Sequence, residues 1–205
     1  MSVGEFWPEK GVVTNSWTLN GRDSAPASLS GNSVPVEMGE PFWTIEVEVA
    51  VDKRSALAQQ WRGFFARRRG KRITFTANRS FHSFPATRAT QRPGARVIAH
   101  SREAGSIDIV NSRLDEITPG DMVGYLTELG GYYIGEVEGV ALENPTVISI
   151  VKTFVFPPPF APKTEPEALR LYKPVGEFRL DAPAQPLETS SRLSWNFTAT
   201  QIIRG

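Results

Sequence analysis

Apolar and polar residues alternate most cleanly from Phe42 to Val51. Trp43, Ile45, Val47, Val49 and Val51 are separated by Thr44, Glu46, Glu48 and Ala50. Period two over such a run predicts a strand with one buried and one wet face. The period then changes. Leu57, Trp61, Phe64 and Phe65 fall at i, i+4, i+7 and i+8, one stripe of a helix, while Ser55, Gln59, Arg62 and Ala66 lie on the other side. This amphipathic helix is expected over about residues 53–69, with Asp52 as N-cap and Gly70 as its stop. Ile73–Ala77 follows as a strand, so the three elements form a β–α–β unit with short connections.

The rest of the chain reads as strands and loops. The first forty residues are rich in Gly, Ser, Asn and Pro and predict loops, an arm, and a strand at Val12–Leu19. Asn78–Gly105, with Pro85, Pro93 and many arginines, predicts a long loop or extended arm. Met122–Leu129 and Tyr132–Val137 flank Gly130-Gly131, the pattern of a hairpin closed by a two-residue turn. Further strands are expected at Thr146–Phe156, stopped by Pro157-Pro158-Pro159, and at Ala168–Tyr172, Gly176–Leu180 and Leu193–Thr198. The expected fold is mainly β (α+β), a β-sandwich or barrel-like core with one helix and extended arms. It forms a single two-lobed domain over 1–205, with lobes at 1–95 and 96–205.

Composition adds exclusions. The chain has no cysteine, which removes disulfides, thiolate metal sites and a cysteine nucleophile. No stretch approaches the roughly 18 apolar residues of a membrane helix, and Met1–Lys10 lacks the basic start and apolar run of a secretory signal. A soluble product, made in the cytoplasm and without a membrane partner, is expected.

Catalytic patterns are missing as well. His82 and His100 are the two histidines, too few for a histidine zinc site. Ser80 and Ser83 lie near His82, but no Gly-x-Ser-x-Gly elbow is present, and no phosphate-binding glycine loop. Glu46 and Glu48 share one strand face at a separation that glycosidase carboxylates use, but the wet side of an amphipathic strand is the favoured explanation. Asp115, Glu116 and Asp121 surround Pro119-Gly120 as turn residues do. The expectation is no enzyme, no cofactor and no metal.

Charge carries the one functional signal. From Lys53 through Arg102 there are thirteen Lys or Arg and no Asp or Glu, leaving ten of the 23 basic residues to face all 22 acidic ones, a balance of −12. Arg67, Arg68, Arg69, Lys71 and Arg72 cluster at the helix end, where cations also complement the helix dipole, and Arg79 follows. Three readings compete: a solvated basic face, nucleic-acid binding with Phe75, Phe81 and Phe84 stacking on bases, and a subunit interface. The interface is favoured because the compensating negative charge sits on the same chain, whereas a dedicated nucleic-acid binder keeps a strongly positive total. Arg67, Arg68, Arg69, Lys71, Arg72 and Arg79 are the expected interface residues.

The order of features also carries a resemblance. Ser24-Ala25-Pro26 and Leu29-Ser30-Gly31 lead to Pro41-Phe42-Trp43 opening a strand. The helix with Leu57, Trp61, Phe64 and Phe65 ends at Arg68-Arg69-Gly70, and Phe75 stands in the next strand. Pro119-Gly120-Asp121, Tyr132-Tyr133-Ile134-Gly135-Glu136-Val137, Pro157-Pro158-Pro159-Phe160 and Gly176-Glu177-Phe178-Arg179-Leu180 follow. From about Trp17 to Leu180 this layout resembles distal tail proteins and related tail-tip proteins of long non-contractile-tailed bacteriophages and gene transfer agents. The resemblance implies a β-sandwich with one helix that forms a homo-oligomeric ring in the virion tail, as an adaptor between tail tube and hub or fibres, without catalytic residues. The alternatives are a nucleic-acid-binding protein using residues 53–102 and a β-rich carbohydrate-binding module of a tail.

Overall fold

The computed structural model describes residues 5–21, 23–24, 36–37, 41–68, 73–78, 95–110, 117–142, 150–156, 158–165, 168–171 and 174–202. In chain order the elements are β1 (Glu5–Phe6), β2 (Val12–Asn20), β3 (Asp23–Ser24), β4 (Val36–Glu37), β5 (Phe42–Asp52), α1 (Ala56–Arg67), β6 (Phe75–Asn78), β7 (Arg96–Ser101) and β8 (Ser106–Val110). They continue as β9 (Met122–Leu126), β10 (Tyr132–Leu142), β11 (Ile150–Phe156), β12 (Leu169–Arg170), β13 (Val175–Leu180), β14 (Pro186–Glu188) and β15 (Arg192–Gln201). The protein is mainly β, with two curled sheets and one helix among the described residues.

The first sheet has the order β1-β6-β13-β15-β5-β2, with β14 also pairing β15. Its centre is the long antiparallel pair of β5 and β15, in which Val51, Val49, Val47 and Ile45 stand opposite Leu193, Trp195, Phe197 and Ala199. All eight are buried, so the alternation along Phe42–Val51 is matched residue for residue by the last strand of the fold. The helix lies on this apolar face. Phe65 reaches Trp195 at 5.4 Å, Phe64 reaches Phe75 at 5.3 Å, and Trp61 is fully buried between them. Edge-to-face and offset contacts of this kind suit aromatic quadrupoles.

The helix begins later than the sequence suggests. Ser55, not Asp52, is the N-cap, with its side chain accepting from the Ala58 N–H at 3.1 Å. Asp52 caps the turn before it, accepting from the Arg54 N–H at 2.8 Å. The C-cap is Arg68, while Gly70 lies outside the described residues. The expected β–α–β unit is present in order, but β6 does not pair with β5. Two strands, β13 and β15, lie between them, and the antiparallel steps leave β6 running opposite to β5.

The sheet is strongly curled. Trp17 of β2 meets Phe178 of β13 at 5.1 Å, although a flat sheet would hold strands three places apart at about 14 Å. Across the closing seam the Asn15 side-chain amide donates to the Asn78 carbonyl at 3.3 Å.

The second sheet has the order β12-β9-β10-β11-β8-β7. Its core gathers Val97, Ile107, Ile109, Val123, Tyr133 and Val155 around Tyr125, whose hydroxyl donates to the Phe160 carbonyl at 2.7 Å. The expected two-residue turn at Gly130-Gly131 is wider: pairing ends at Leu126↔Tyr132, and residues 127–131 form the loop. Gly130 alone of the pair takes a positive φ, 83°, and the Thr127 hydroxyl ties the loop by donating to the Gly131 carbonyl at 2.9 Å.

The sheets part the chain differently from lobes 1–95 and 96–205. Strands β13, β14 and β15 return to the first sheet, so β7 to β12 form a second lobe inserted between β6 and β13. The lobes touch where backbones come close. A Cβ on Gly176 would lie 2.8 Å from Ile134 Cγ2, so a side chain there would force a neighbour to shift. The expected arm at Asn78–Gly105 is also revised: 79–94 lie outside the described residues, but Arg96–Ser101 is the edge strand β7. Only Val97 of β7 is buried among its hydrophobic residues, and a bulge breaks the alternation that would have announced a strand. Of the expected strand Thr146–Phe156, the described part begins at Ile150.

Candidate subunit interface

The basic cluster is split by its own packing. Arg67, in the last turn of α1, is exposed, and its Nε donates to the Gly63 carbonyl at 3.3 Å. Arg68 is buried. Its guanidinium lies 3.9 Å from the centre of the Phe64 ring and donates to the Phe64 carbonyl at 3.0 Å. A cation there complements both the helix C-terminus and the aromatic face. Arg68 is therefore a helix-end anchor and is withdrawn from the interface set. Arg69, Lys71, Arg72 and Arg79 lie outside the described residues. Phe75, which the nucleic-acid alternative stacks on bases, is fully buried in the first core and unavailable to them; Phe81 and Phe84 lie outside the described residues.

The water-facing side of the first sheet is acidic and polar. Because β5 alternates strictly, Glu46 and Glu48 point away from the core, and the register sets Glu46 beside Ser16 and Thr198, and Glu48 beside Thr14 and Asn196. These residues and Asp181 line a groove of about 610 Å³. Asp181 is held by the Thr200 hydroxyl, which donates to it at 2.7 Å. Both glutamates stand on the water-facing side of β5, Glu46 exposed and Glu48 half-buried. No group of three or more His, Asp or Glu able to hold a metal occurs among the described residues. His100 is exposed on β7, and His82, Ser80 and Ser83 lie outside the described residues. Asp121 does serve a turn, accepting from the Thr118 N–H and hydroxyl at 2.7 and 2.8 Å; Asp115 and Glu116 lie outside the described residues.

A second groove, of about 620 Å³, lies on the helix side of the segment 181–186. It is lined by Phe65, Ala66, Ala184, Pro186 and Trp195, with Arg62 at its margin, and it shares Pro183 and Ala184 with the acidic groove as a common wall. Beside it, Lys53 and Arg62 converge on Glu188 at 2.7 and 3.2 Å. The hydrogen bond and charge of Lys53 hold the Glu188 carboxyl below the usual carboxylate range. Nothing in the sequence pattern announced this triad, since Glu188 stands 126 residues along the chain from Arg62.

No protein-family model matches the chain, and comparison with curated proteins gives no match. Among the described residues, no helix is long and apolar enough to cross a membrane.

Proposed function

We propose that this chain is a structural protein of a bacteriophage tail tip, assembling with copies of itself into a ring that joins the tail tube to the hub or fibres. The observation that supports this reading is charge segregated along the chain: the stretch from Lys53 to Arg102 is free of acid, while Glu46, Glu48 and Asp181 of the acidic remainder line one groove. Ring closure needs two different patches that fit each other on successive copies, and opposite charge supplies the register for such a contact. The burial of Arg68 and Phe75 weakens the nucleic-acid alternative, because both leave the surface that would grip a strand.

Sedimentation over a concentration series and imaging of assembled tails test the proposal. An oligomer or ring is expected, and reversing the charge of Arg67, Arg69, Lys71 and Arg72 together should block incorporation. DNA binding should stay weak, without the steep salt slope of roughly −0.9 per neutralised phosphate. A protein that is monomeric both free and in tails would sink the ring.

A further inference from the structure

We propose that the edge strand β7 of one copy docks across the 181–184 wall of the next, with Ile98 entering the apolar groove and Arg96 reaching the acidic one. This rests on the self-association reading above and names the contact that would close it.

Three features of β7 carry the inference. It is an outer strand of the second sheet, and among the described residues no further strand pairs with its open side. Its register passes from Val97↔Ile109 to Ala99↔Asp108, so Ile98 is the extra residue of a bulge. Bulges at sheet edges turn a side chain outward and discourage pairing by the backbone alone. Ile98 is accordingly 40% exposed, with Arg96 exposed two positions before it. An apolar and a basic side chain thus project together, about 6–7 Å apart along the strand.

The receiving surface has the matching order. The apolar groove with Phe65, Ala184 and Pro186 and the acidic groove with Glu48 share the wall at Pro183 and Ala184. An isoleucine on one side of that wall and an arginine over the other satisfy both grooves at once. The two partners lie on different sheets of the fold, so each copy can offer one to the copy before it and the other to the copy after it, a heterologous contact that repeats. Arg96, at the far end of the basic stretch from the helix-end cluster, supplies a further cation to that association.

The absence of native cysteine makes a direct test simple. Ile98→Cys and Ala184→Cys variants are prepared separately and mixed under mild oxidation at the concentration where the wild type associates. A disulfide-linked dimer is expected in the mixture and not in either preparation alone. Arg96→Glu should weaken association about tenfold, near 1.4 kcal/mol, and the double variant R96E/E48R should restore it. An oligomer that forms without the mixed disulfide and ignores Arg96→Glu would overturn the docking and leave the ring standing. A free protein monomeric at every concentration would also overturn the docking, while incorporation into tails would still decide the ring.

Discussion

Trp61 is fully buried on α1, with Trp7, Phe64, Phe65 and Phe197 around its ring at centroid distances of 5.4 to 6.4 Å. Its indole N–H donates to the Lys10 carbonyl at 2.8 Å. Trp61→Ala removes the ring and leaves a void that four aromatic neighbours cannot fill by small shifts, so the expected cost is about 3–5 kcal/mol. About 1 kcal/mol of that belongs to the hydrogen bond. Trp61→Phe keeps most of the packing and should cost about 1–2 kcal/mol, from the lost donor and a smaller void. Guanidinium denaturation followed by far-ultraviolet circular dichroism measures both. With a slope of about 4 kcal/mol per molar, the Ala variant should move the midpoint down by about 1 M. Two outcomes would refute the reasoning. A loss below about 1 kcal/mol for Ala would mean that the helix does not carry the core, and equal losses for Phe and Ala would mean that the hydrogen bond, not the ring, holds the site.

Ser55→Ala should cost about 1 kcal/mol by leaving the Ala58 N–H without its cap, with Asp52→Ala costing less because Asp52 caps a turn and not the helix; thermal melts of the pair check the order. Arg68→Ala should destabilise by about 2 kcal/mol while Arg67→Ala stays within about 0.5 kcal/mol, since one guanidinium is packed on Phe64 and the other lies in water; equal effects in denaturation would contradict that division. Burial pushes the Tyr125 phenol well up, and burial, then Tyr125 and Glu138, do the same for Tyr133. Folded values above the unfolded one of about 10 mean a stabilising contribution that is intact below pH 10 and lost as the pH rises beyond it. Absorbance at 295 nm should therefore show these two of the four tyrosines ionising together with the loss of circular dichroism; early titration of all four in a folded protein would count against it.

What could be read from the sequence followed from burial on one face. The Phe42–Val51 alternation and the Leu57–Phe65 stripe each have a single apolar side, and each forms close to its expected bounds as β5 and α1. Partners far along the chain left no such trace. Ser194 and Asn196 on β15 face water because Ala50 and Glu48 do, and that pairing spans the whole molecule. Asp52 and Ser55 are both plausible caps by residue type, and only backbone geometry separates them. β7 escaped notice because a bulge and a single inward residue erase its period, and β14 because three exposed residues make no pattern. The basic cluster was visible as composition, but the folding of Arg68 back onto Phe64 depends on ring placement that no spacing encodes.

Insertion of the second lobe also sets an order of events during synthesis. β5 pairs with β15 from Thr44↔Thr200 to Asp52↔Arg192, so the centre of the first sheet joins residues near the two ends of the chain. At roughly 5–20 residues per second, β5 must wait on the order of 10–30 s for its partner to leave the ribosome. The strands of the second sheet are contiguous from β7 to β12 and need no later residue to complete their pairing. The inserted lobe is thus the part able to form first on the nascent chain. Meanwhile β5 has β2 on one side but its other edge stays unpaired, which makes this interval the point where a chaperone would matter most.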